Sequence, residues 1–339
     1  MKTNLVIAAA LAAAVQATAS MSLAQAPWLK ATAEVNFDAT AKDSEDYELN
    51  LRHDTSLRFE LILHEGVKAV VKARIIQDLV NRGEVVDSLK KQEIEKVLEE
   101  AYIEINTAAF SNLPQATVIF GKHTMAFGQE MLELPTFRDN LLYNLASERE
   151  MIGLTVSLPT QFLKVVDNIA ISLYENGFGD LDIADQKAVS VKLSKKISQT
   201  VEAQISALIK ENALSDQNEK RGSIGFVFTS PNGQTKVWAN GLVFDENPLL
   251  PNTRYGASVG ASQKFGPGTI VVQYEYLQKN ASEIAAAYNI PVGRYFTLSP
   301  EVRHTMNKVT DSDDTRIGIR ARLQLSADVN RSLLTGRKN

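Results

Sequence analysis

The 339-residue chain contains no cysteine, which rules out disulfides, thiolate metal sites and an acylated cysteine anchor. Histidine is scarce: His53, His64, His123 and His304 are the whole set, and none stands in a recognisable catalytic or metal-ligand spacing. Neither an enzyme nor a metal or organic cofactor is expected. The formal net charge of −4 speaks against a nucleic-acid partner. Beyond the N-terminus there is no run near the ~20 apolar residues that a membrane-spanning helix needs. No Pro/Ser/Gly-rich linker and no shift of composition divides the remainder, so it reads as one unit.

What is present begins with an export signal. Lys2, an apolar run from Leu5 to Val15 and a stretch of small polar residues follow the order of a secretory signal peptide. Cleavage after Ala26 would leave Pro27 at the cut, so cleavage after Ser22-Leu23-Ala24 is preferred, giving a signal peptide over 1–24.

From Leu29 onward the chain alternates. Leu29, Ala31, Ala33, Val35 and Phe37 share one face, and Lys30, Thr32, Glu34, Asn36 and Asp38 the other. A period of two marks a strand with one apolar and one wet face. Leu57 to His64 and Val67 to Ile75 repeat it across a tight Glu65-Gly66 turn, which makes them antiparallel neighbours. Further strands are expected at Glu99–Asn106, Ala116–Gly121, Met151–Leu158, Asp167–Tyr174, Lys187–Ser194, Thr200–Lys210 and Gly222–Thr229. The series ends with Thr235–Phe244, Tyr255–Gln263, Thr269–Gln278, Glu283–Ile290, Thr297–Thr305 and Thr315–Leu325, about sixteen strands in all.

Short turns alternate with longer polar connections along this series, as in a meandering membrane barrel. Val85 to Leu98 breaks the pattern with apolar residues at helical spacing and reads as a helix in an outer loop. The longest connection runs from Lys122 to Arg149, and long loops in compact folds are usually functional. It holds Glu130, Glu133 and Asp139 among Met131, Leu132, Leu134 and Phe137, a composition that suits a loop folded into a lumen. Ordinary surface charge explains those acids about as well.

The fate of the two faces sets the fold class. The polar faces are rich in Lys, Arg and Glu, which a filled protein core would exclude, whereas a membrane barrel puts its polar face inside and its apolar face in lipid. We therefore expect an all-β, transmembrane, antiparallel up-and-down barrel over 25–325, with an inward-folded constriction loop and a polar tail over 326–339. Closing the ring brings Arg303, Arg316, Arg320 and Arg322 beside Lys30, Arg58, Lys68, Lys72 and Arg74, a basic wall interrupted by Glu34, Glu60 and Glu301. Cross-strand pairing of those cations with carboxylates is the alternative reading. Asp311-Ser312-Asp313-Asp314 reads as a solvated run.

The stretch GKHTMAFG at Gly121–Gly128 follows the fifth expected strand. With the signal peptide and the strand and loop alternation over Leu29 to Leu325, it resembles the Gram-negative outer-membrane porins of the 16-stranded type. That resemblance implies a constriction loop over Lys122–Arg149, which carries Lys122, Glu130, Glu133 and Asp139, an opposing basic ladder that maps to the cations named above, and a homotrimer in the outer membrane. The ending TRIGIRARLQL and the tail beyond it depart from the aromatic last residue usual in porins.

The function expected is passive diffusion of small hydrophilic solutes and ions. A substrate-specific channel is one alternative. A plugged structural or adhesive barrel is another: Ile62, Val70, Ile76, Trp238 and Leu242 put bulk on the lumen face, against Gly153, Gly225, Gly256, Ser258 and Gly260.

Overall fold

The computed structural model describes residues 28–43, 48–81, 84–85, 98–110, 115–128, 142, 151–160, 165–176, 186–211, 218–245, 253–310 and 312–329. Among them the strands are β1 (Trp28–Asp43), β2 (Glu48–His64), β3 (Val67–Asn81), β4 (Glu84–Val85), β5 (Leu98–Asn106), β6 (Thr117–His123), β7 (Met151–Pro159), β8 (Asn168–Asn176) and β9 (Gln186–Lys196). The ring continues with β10 (Val201–Glu211), β11 (Asn218–Thr229), β12 (Thr235–Asp245), β13 (Tyr255–Phe265), β14 (Gly268–Leu277), β15 (Ala281–Val292), β16 (Phe296–Asn307) and β17 (Ser312–Val329).

The two residues of β4 pair with the far end of β3, on the edge where β5 pairs farther down. The barrel therefore has sixteen staves, each antiparallel to its sequence neighbours. β1 lies between β2 and β17, and the β1–β17 register runs from Leu29↔Val329 to Asp43↔Thr315. Closure leaves no sheet edge, so the backbone polar groups of the staves pair within the barrel, as hydrocarbon demands.

Alternation explains which side chain goes where. Phe37, Phe59, Ile205, Phe226, Val243, Ile284 and Ile317 stand exposed on the outside. In water so continuous an apolar surface would drive association; in a bilayer it is solvated. Aromatic rings rim this band, as expected at the two interfaces. Tyr255 and Tyr276 lie 6.0 Å apart, with Lys308 Nζ 4.4 Å above the Tyr276 ring. At the short-turn end Tyr288 donates to the Phe265 carbonyl, and Arg294 stacks on Tyr295.

Three aromatic side chains, the inward Tyr174 and Trp238 and the outward Tyr288, lie over a glycine of the adjacent strand. A Cβ on Gly153 would come 2.7 Å from the Tyr174 ring, on Gly260 2.3 Å from the Trp238 indole, and on Gly268 2.7 Å from Tyr288. Each glycine leaves room for the ring to lie flat along the wall, which pins the register locally.

Several boundaries differ from the sequence reading. β1 runs on past the small outward residues Ala39 and Ala41 to Asp43, and β2 begins at Glu48. β17 continues to Val329 because Ser326 to Val329 pair with Leu29 to Thr32, so the expected tail begins later than 326. Val85 and Leu98 are strand residues, and 86–97, where the helix was expected, lie outside the described residues. Ser312, Asp313 and Asp314 belong to β17, and two loop-end connections, 278–280 and 308–311, are as short as the turns.

Candidate functional site

The inner face is the candidate site. Every cation of the expected wall on β1, β2, β3, β16 and β17 has inward parity, opposite to the exposed apolar residues of its strand. What alternation does not predict is how completely these cations are engaged. Arg58 bonds Glu60 at 2.8 Å and Glu100 at 2.6 Å, and donates to Tyr102 Oη at 3.1 Å. Lys68 meets Glu104 at 2.9 Å, Lys72 meets Glu99 at 2.5 Å, and Arg74 holds Asp54 at 2.7 Å and Glu99 at 3.3 Å. Arg303 lies between Glu283 at 3.2 Å and Glu301 at 3.1 Å. Arg320 grips both oxygens of Asp38, at 2.5 and 2.6 Å, across the closing seam.

Arg316 is the more open member: its side chain is 44% exposed and bonds Asp314 at 3.0 Å. Lys30 stands exposed opposite Glu60 and Asp328, and Arg322 is half-buried opposite Asn36 and Thr297. The wall is thus a lattice of alternating charge, which presents local dipoles to the lumen more than a net positive field. Charge preference does not follow from counting its cations.

From β7 to β13 the lining changes character. Thr155, Ser172, Ser190, Ser206, Ser223 and Ser258 are buried on this side. The chain leaving β6 is fastened to them. Ala126 N–H donates to Ser172 Oγ at 3.2 Å, Ser190 Oγ–H donates to the Ala126 carbonyl at 3.1 Å, and Gly128 N–H donates to Ser206 Oγ at 2.9 Å. Farther along, Leu142 N–H donates to the Glu275 carboxylate at 3.1 Å.

Met125, Phe127 and Leu142 are buried together with Met151, Tyr174, Ala188, Leu208, Leu242, Phe244 and Leu277. The strand members of this cluster sit within three residues of the loop end of β7, β8, β9, β10, β12 or β14. They form an apolar seat just inside one mouth. Residues 124–128 and 142 are therefore on the inner side. The remainder of the long connection, with Glu130, Glu133 and Asp139, lies outside the described residues. Lys122 is buried at the end of β6 and donates to the Leu98 carbonyl at 2.5 Å.

His123 anchors the departure point. Its Nδ1–H donates to the Gly121 carbonyl at 2.9 Å, so Nε2 is the acceptor, 2.8 Å from both Thr155 Oγ1 and Tyr174 Oη. Thr155 Oγ1 lies 2.9 Å from Ser172 Oγ, which completes a buried chain from β6 to the loop backbone. The sequence reading missed the serine clip and the apolar seat. The available signal was bulky apolar residues at inward parity near strand ends, Tyr174, Leu208, Leu242 and Leu277.

The comparisons bear on this barrel. No protein-family model and no curated protein matches the chain. Solved structures do. An outer-membrane protein, OmpT of Vibrio cholerae in a trimer form, is 10% identical with a TM-score of 0.55, covering 89% of this chain and all of that one. OprB of Pseudomonas putida is 12% identical with a TM-score of 0.58 over 88% of this chain and 94% of its own. The chain has the 16-stranded porin fold. A mutant of the Rhodopseudomonas blastica porin, 12% identical, overlays at a TM-score of 0.52 over 88% of this chain and the whole of that one. At such identities the porin barrel is shared while its lining is this chain's own.

Proposed function

We propose that the protein is a porin of the Gram-negative outer membrane, a passive channel for small hydrophilic solutes and ions. The observation that carries the reading is the reversal of faces: charged and hydroxyl side chains line the inside of a closed barrel whose outside is apolar. A polar interior of this kind must be hydrated or paired, which suits a water-filled lumen. In this proposal residues 1–24 direct export, residues 122–149 fold inward and narrow the lumen, and Glu130, Glu133 and Asp139 face the charge lattice. A homotrimer is part of the proposal, supported by the trimeric form of the V. cholerae protein that shares the fold.

Single-channel recording in a planar bilayer tests it. Stepwise conductance is expected from the refolded protein. Arg316→Glu should move the reversal potential in a salt gradient toward cations, changing the permeability ratio about twofold to fourfold at low salt, the effect of two charge units at ~10 Å in water. A folded barrel that passes no current would instead favour a plugged structural role.

A further inference from the structure

The lipid-facing wall is not even. On the outside, toward the loop end, β9 to β13 enclose an open apolar concavity of about 830 Å³. Its floor lacks bulk because the outward residues there are small: Ala207 pairs with Gly222, and Gly241 pairs with Ile224. Ile205, Val243 and Tyr255 stand exposed around it. Five strands at ~4.8 Å spacing make it ~19 Å across, several times the width of one hydrocarbon chain. Apolar shape alone selects no occupant in a bilayer, where lipid tails are as apolar as the wall.

The rim above the concavity supplies what the floor lacks. Lys220 of β11 shares the outward parity of Gly222 and stands two residues nearer the loop end. Asp245, its register partner, is taken by Arg254, so Lys220 has no ion pair among the described residues. Lys279 is exposed in the short 278–280 connection, also without an ion pair among the described residues. Gln278 N–H donates to the Tyr255 carbonyl at 3.1 Å, which ties that connection to the edge of the concavity. Lys308 lies over Tyr276, whose ring is 6.0 Å from Tyr255. Three ammonium groups thus sit at the level of the interfacial tyrosines, where lipid headgroups lie. Each lysine so placed is worth about fivefold in affinity for an anionic lipid.

We propose that this sector is a docking surface for a phosphorylated lipid with several acyl chains, its chains in the concavity and its phosphates against Lys220, Lys279 and Lys308. The inference rests on the outer-membrane reading, in which the loop end faces the outer leaflet, so that leaflet supplies the lipid. The chains fill the concavity, and the phosphates decide which lipid stays.

Native mass spectrometry of the barrel refolded in a nonionic detergent counts the lipids that remain bound. The probes are diphosphorylated lipid A, the same lipid with its phosphates removed, phosphatidylglycerol and inorganic phosphate. One lipid A retained per barrel is expected, with the dephosphorylated form at least tenfold weaker. Lys220→Gln with Lys279→Gln should weaken retention about tenfold to thirtyfold. Ala207→Phe places a ring in the concavity and leaves the cations alone, and it should weaken retention as well.

Equal retention of lipid A with and without its phosphates overturns the proposal. So does a loss in the lysine variant with Ala207→Phe unchanged, which is charge attraction without a seat for the chains. Phosphatidylglycerol held more tightly than lipid A overturns the source, and inorganic phosphate that displaces the lipid reduces the surface to an ion site. Conductance of the same preparation keeps the two readings apart. A conducting barrel that retains no lipid loses the docking surface and keeps the channel, and a lipid-binding barrel that passes no current does the reverse.

Discussion

Replacing Arg320 with leucine is expected to destabilise the closed barrel by ~3–5 kcal/mol, the cost of stranding one member of a buried ion pair. Both side chains are less than a tenth exposed, and the guanidinium meets both oxygens of Asp38. The loss falls on the seam where β17 meets β1, so it should read out as a lower denaturation midpoint and a lower temperature for loss of the compact band on a gel. Asp38→Asn in the same chain should recover most of the loss, since the stranded charge is then gone. If the single variant unfolds like the wild type, Asp38 has found water or another cation, and the seam does not depend on this pair. Lys68→Leu should cost far less, about 0–1 kcal/mol, because its pair with Glu104 is a quarter to a third exposed.

A second large effect is expected at the loop. Phe127→Ala with Ser206→Ala removes an aromatic ring from the apolar seat and the hydroxyl that accepts from Gly128. Truncating a buried phenylalanine costs ~3–5 kcal/mol, which corresponds to about a hundredfold or more in the equilibrium between seated and released loop. None of that energy comes from the strand pairing. The barrel should keep its thermal midpoint, while conductance rises or becomes noisy and protease begins to cut within residues 129–150. A lowered midpoint with unchanged conductance would show instead that the seat supports the wall and not the loop.

The sequence showed the staves well, and there is a physical reason. Wherever outward residues meet lipid, as at Phe226 and Phe228 or Val272 and Tyr274, the period of two is enforced. At Ala39 and Ala41 the outward side chains are no longer under that demand, and there the strand ends were misread. Parity alone identified the inward cations, but it cannot assign partners. Whether Arg320 faces Asp38 or open solution depends on the stagger between two strands almost three hundred residues apart in sequence. The apolar seat was hidden for a related cause: Tyr174 and Leu242 look like lapses of alternation until the returning chain is known to cover them.

The pairing of Leu29 with Val329 also orders events in time. Neighbouring staves can zip together as local hairpins, but the last ladder joins the two ends of the barrel sequence, and such distant contacts form slowly. Until β17 arrives, β1 presents an unpaired edge above a broad apolar face, a template for any passing strand. Delivery of this protein is therefore a race between closure and aggregation. The Asp38–Arg320 pair, placed on the final ladder, stabilises only the species that has won.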